Sequence, residues 1–104
     1  MIKPSSAPTA LRLIVMQIAR RIKMADAAEH AARTTRERAA DARMFFQLAP
    51  TAAAENAMLR ASIRENLAFE NFLEAEDAVK AGFAAREFVI AALRAEEHEK
   101  SNAV

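Results

Sequence analysis

From Thr51 to Glu99 the chain runs for about fifty residues with no proline and a single glycine, Gly82. Large apolar residues recur there at helical rather than strand spacing. At about 100° per residue, Phe69, Phe72, Val79, Phe83 and Ile90 fall on one stripe, while Leu59, Ile63, Leu67 and Phe88 lie on a different side. The pattern predicts one long helix over residues 51–99. Pro50 has no N–H and disfavours α geometry at Ala49, so it ends a preceding helix near Leu48. Thr51 is then placed to cap the second helix, with Glu55 near the positive end of its dipole. Upstream, residues 1–8 read as an irregular lead-in. Ser5 or Ser6 can cap, Pro8 suits a first helical turn, and the first helix runs over about 9–48. Residues 100–104 read as a frayed tail.

The fold class predicted is all-α: a long antiparallel helical hairpin forming a single domain. Size complementarity supports it. With the turn near residue 50, the numbers of facing residues add to about 100. Ala25, Ala28 and Ala32 then lie opposite Phe69, Phe72 and Leu73, and Ile18 and Ile22 opposite Ala78, Ala81 and Gly82. Near the turn, Phe45, Phe46 and Leu48 face Ala52, Ala53 and Ala57. One local signal competes with a continuous first helix. Thr34-Thr35-Arg36-Glu37 matches a capping box and marks a kink or break near Thr34.

Composition thins this picture. Alanine supplies 27 of the residues scored as hydrophobic, and the large apolar side chains number only 28. The two long helices nevertheless carry more apolar stripes than a single pair can cover. Leu13, Met16 and Met24 on the first helix, and Leu59, Ile63, Leu67 and Phe88 on the second, sit off the facing stripe. The expectation is self-association, a homodimer forming a four-helix bundle being favoured over a higher oligomer, with these seven residues as the oligomer or partner interface. Phe45 and Phe46 near the turn are candidates for a sticky tip.

Charge is asymmetric. Residues 1–48 carry nine Lys/Arg against four Asp/Glu, and residues 49–104 carry six against ten. A basic helix beside an acidic one helps to fix the antiparallel arrangement, and the register pairs Arg36 with Glu65 and Arg21 with Glu76. Arg33, Arg36, Arg38 and Arg43 are also candidate anion-binding residues. Glu29, Glu37 and Asp41 interrupt that basic run and no aromatics interleave with it, which disfavours nucleic acid.

Catalytic and metal chemistry find little support. There is no cysteine, and no glycine-rich phosphate loop can be built with one glycine. Glu65, Glu76 and Glu87 recur every eleven residues, but no Glu-x-x-His pair accompanies them, as a carboxylate-bridged di-iron bundle requires. Asp26 and His30 sit four apart with no third ligand nearby in sequence. No enzyme activity, cofactor or metal is expected. The apolar run 11–19 contains Arg12 and Gln17 and is too short to span a bilayer.

The functional expectation is a small non-enzymatic interaction protein: a cytoplasmic regulator, adaptor or inhibitor acting by protein–protein binding as an oligomer. Its Ala- and Arg-rich composition suggests a bacterial, phage or mobile-element genome. Two rival readings are an oligomeric helical sponge for a small anionic ligand or nucleotide, and a nucleic-acid-binding accessory protein using the basic first helix.

Overall fold

In a computed structural model, which describes residues 6–102, the chain is two helices: α1, Ser6–Leu48, and α2, Ala52–Asn102. They lie antiparallel as a rod of 81 × 18 × 17 Å. The radius of gyration is 23.1 Å, against about 13 Å for a compact domain of this length. No strand occurs among the described residues. The helices extend beyond the predicted bounds at both outer ends. Ser6–Pro8 belong to α1 rather than to an irregular lead-in, and α2 continues through residues 100–102. Residues 1–5 and 103–104, parts of the expected lead-in and tail, lie outside the described residues.

The turn forms as its residues dictate. Ala49 N–H donates to Phe45 C=O at 2.9 Å, and Thr51 N–H donates to Ala49 C=O at 2.8 Å across Pro50. Such a tight three-residue turn suits the fixed φ of proline. Thr51 then caps α2: Ala54 N–H donates to its Oγ1 at 3.1 Å, and Glu55 N–H to its C=O at 2.9 Å. The Thr51→Ala variant should lose about 1 kcal/mol, read as a lower urea midpoint at an unchanged slope.

The first helix does not break at Thr34. Thr34 Oγ1 donates to His30 C=O at 3.0 Å, and Thr35 Oγ1 donates to Ala31 and Ala32 C=O at 2.9 and 3.0 Å. Both hydroxyls are therefore satisfied by the preceding turn of their own helix. With no proline or glycine nearby, nothing interrupts the backbone ladder, and the capping-box sequence goes unused.

The packed seam follows a strict heptad. Buried and half-buried residues of α1 recur in alternating steps of three and four: Leu11, Ile14, Ile18, Arg21, Ala25, Ala28, and so on to Phe46. Those of α2 do the same from Ala54 and Met58 through Phe72 and Val79 to Leu93. A repeat of 3.5 residues keeps one seam facing its partner, the geometry of a coiled coil. The register is fixed at Gly82, where a Cβ would stand 2.9 Å from Ile18 Cγ1. Facing residue numbers therefore add to about 100, as size complementarity requires. Among the described residues Ile18 is the one large side chain that is buried, at 5% exposure, and Ala32, Ala39 and Ala54 complete the buried apolar set. On α1 the middle of the seam is alanine apart from Thr35, so layers interdigitate by setting these small residues against Met58, Glu65 and Phe72 of α2.

Candidate interaction surfaces

The seam divides the rod into two flanks and two backs. On one flank, Ile22, Ala25, Asp26, Glu76, Val79 and Lys80 line a shallow cleft. Next along it, Glu29, Ala32, Arg33, Arg36, Phe69 and Phe72 line a second, and Glu65 and Asn66 join Arg36 and Phe69 in a third. We call this the mixed flank. The opposite flank carries a small cleft lined by Thr35, Arg38, Ala61 and Arg64, with cations and no carboxylate.

The four arginines considered for anion binding are thus not gathered. Arg33, Arg36 and Arg43 belong to the mixed flank and Arg38 to the other. Two of the three are engaged. Arg33 Nη2 donates to Glu29 Oε1 at 3.0 Å one turn away, and Arg43 Nη2 donates to Glu65 Oε2 at 3.0 Å across the seam.

The two ion pairs expected from register alone do not form. Neither Arg36–Glu65 nor Arg21–Glu76 is an ion pair among the described residues. Side-chain direction explains both. Helical side chains lean toward the N-terminus of their own helix. In an antiparallel pair, Arg36 leans away from the turn while Glu65 leans toward it, so they diverge. Arg43 starts nearer the turn, leans back along α1, and meets Glu65 coming the other way. The same rule separates Arg21 from Glu76. Arg21 Nη1 instead donates to the backbone carbonyl of Ala78 at 3.0 Å. It reaches that carbonyl because Gly82 has no side chain: a Cβ there would lie 3.3 Å from Arg21 Nη1.

The seven residues assigned to an oligomer or partner interface are all exposed on the hairpin: Leu13, Met16, Met24, Leu59, Ile63, Leu67 and, at 76%, Phe88. Leu59, Ile63 and Leu67, spaced four apart, form one ridge on the back of α2. Phe45 is exposed but Phe46 is half-buried on the seam heptad. The apolar tip is therefore Met44, Phe45 and Leu48, the last 80% exposed. Phe46 fails as a tip residue because it lies in the layer of Ala54, where it fills space that alanine leaves.

No group of three or more metal-ligating side chains occurs among the described residues. Asp26 and His30 are both exposed, as is Glu87, while Glu65 and Glu76 are half-buried beside the seam. Buried side-chain polar atoms lacking a partner, the usual mark of a site awaiting a ligand, are absent among the described residues. No helix among them is long and apolar enough to cross a membrane.

The fold thus defines the protein's class as an antiparallel, alanine-seamed helical hairpin whose distinguishing feature is uncovered apolar surface. No family model, no curated protein and no solved structure matches this chain.

Proposed function

We propose that this chain is a non-enzymatic interaction protein that works as an oligomer, a dimer forming a four-helix bundle being favoured. The observation that carries the reading is the excess of uncovered surface. The chain exposes 8317 Å², where a compact folded monomer of 11.4 kDa exposes about 5,800 Å². The roughly 2,500 Å² difference per chain, or about 5,000 Å² for a pair, lies at the upper end of what obligate partners bury together. Among the described residues, fifteen large apolar side chains lie on that surface, including the Leu59–Ile63–Leu67 ridge and the Met44–Phe45–Leu48 tip. Once copies associate, the ridge, the tip and Phe88 are left to dock a further protein, helix against groove. A cytoplasmic regulator, adaptor or inhibitor of bacterial or phage origin is the role that best fits a cysteine-free, alanine- and arginine-rich rod.

The test is molar mass by light scattering after size exclusion, at low and high salt. The expected result is a multiple of 11.4 kDa that salt changes little, because apolar burial carries the affinity. A monomer at every concentration overturns self-association. The chain has no Trp or Tyr, so strong absorbance at 260 nm in purified material would reveal bound nucleotide or nucleic acid. That result would overturn the reading in favour of an anion sponge or a nucleic-acid accessory protein.

A further inference from the structure

We infer that the mixed flank is a self-recognition surface: two copies pack across it antiparallel, with a dyad near residue 30 of α1, midway between Phe69 and Phe72 of α2. The inference rests on the self-association just proposed and specifies its face and direction.

Charge order along α1 supplies the first argument. On this flank Asp26 and Glu29 lie toward the open end of the hairpin, and Arg33 and Arg36 toward the turn. Asp26 and Arg36 stand equally far from residue 31, and so do Glu29 and Arg33. An antiparallel copy with its dyad near that layer lays the acidic pair of each chain along the basic pair of the other. Arg36, which has no ion-pair partner among the described residues of its own hairpin, then gains one. A parallel copy, with both turns at one end, instead sets α1 against α2 of the second copy and loses this match of acidic to basic positions along α1. On the opposite flank, Arg38 and Arg64 share a cleft without a carboxylate, so two copies meeting at that cleft would set like charges together.

Apolar surface supplies the second. In the register fixed by Ile18 and Gly82, Phe69 and Phe72 of α2 bracket the same layer. Phe69 is 47% exposed there because the alanines beside it bring the helices close but are too short to cover it. The dyad sets the two Phe69 side chains near each other at the centre of the interface, where anchors contribute most.

Area supplies the third. A dyad near residue 30 overlaps the copies over about 36 residues of α1, or about 54 Å. Across a rod 18 Å wide, that covers roughly 1,000 Å² per copy and 2,000 Å² in total, the size of a specific, stable interface.

Two measurements test the proposal. In the first, Asp26→Arg/Glu29→Arg makes all four of these α1 positions basic and Arg33→Glu/Arg36→Glu makes all four acidic. Each variant alone should dimerise at least tenfold more weakly than the parent while staying helical by circular dichroism. Mixed in equal amounts, the two should recover a dimer of wild-type affinity. In the second, a spin label on Ala53→Cys, an exposed site near the turn in a chain with no other cysteine, reports the tip-to-tip distance. The antiparallel dimer predicts about 50 Å, from a rise of about 1.5 Å per residue on either side of the dyad. A distance under about 30 Å, or charge variants that dimerise like the parent, overturns this interface and leaves the oligomer reading standing. A wild-type chain that stays monomeric overturns both.

Discussion

Replacing Gly82 with leucine should destabilise the hairpin by about 1–3 kcal/mol, a fall on the order of 10 °C in melting temperature. The layer it shares with Ile18 already holds one large side chain, and even a Cβ at Gly82 stands 2.9 Å from Ile18 Cγ1. Ile18 is buried, at 5% exposure. The same substitution displaces the Arg21 guanidinium from the Ala78 carbonyl that it reaches past the glycine. Because the conflict is one of volume within one layer, moving the large residue to the other helix should relieve it. Ile18→Ala alone opens a gap and should itself cost a few kcal/mol. The double variant Ile18→Ala/Gly82→Leu should be more stable than the sum of its parts predicts, by at least about 1 kcal/mol in a thermal double-mutant cycle. Strict additivity would show that these residues do not share a layer and would unseat the register.

A second large effect is expected at Ala39, which is fully buried at 0% exposure. Its layer faces Ala61 across the seam, so neither helix leaves room for more than a methyl group. Ala39→Leu should force the helices apart and cost about 1–3 kcal/mol. Its neighbour Ala40 is exposed, and Ala40→Leu should change stability by no more than about 0.5 kcal/mol. Matched chemical denaturation of the two variants makes this a test of the seam and not of leucine in a helix. Equal effects at both positions would mean that the heptad assignment is displaced.

The hairpin was legible in the sequence because its determinants are local and unambiguous. Pro50 stops a helix whatever surrounds it, Thr51 caps one, and a lone glycine facing an isoleucine is a steric statement that letters alone convey. The heptad was harder to see because four seam positions are polar, Arg21, Thr35, Glu65 and Arg86, and many others are alanine, which satisfies any face. A helical period read from large residues alone therefore followed Phe69 and Phe83, which flank the seam, along with Phe72 and Val79, which lie in it. The ion pairs were misassigned for a different reason: residue numbers fix the height of a Cα but not the lean of a long side chain. Arg43 reaches Glu65 because both lean into the same layer, and that lean depends on helix direction. For Phe46 the letters gave no warning. It differs from Phe45 only in lying one residue onto the seam, a rotation of about 100°. As for the interaction surface, the exposed stripes were legible as a surplus of apolar residues. The self-complementary order of charge on one flank needed the two helices set side by side.

The tight turn at Pro50 also governs the order in which the rod can assemble. Every contact between the helices joins residues whose separation along the chain grows steadily with distance from the turn. Closing the first layer, Phe46 on Ala54, ties off only a short stretch of chain, and each later layer extends a pair already formed and so closes almost no new loop. Assembly should therefore run like a zip from the turn outward, through a middle that contributes little per layer, until Ile18, Ile14 and Leu11 fasten the open end. Opening runs the other way. Amide hydrogen exchange should be slowest beside the turn and should quicken along both helices toward Leu11 and Val89, with Ile18 and Gly82 as a clasp that delays it.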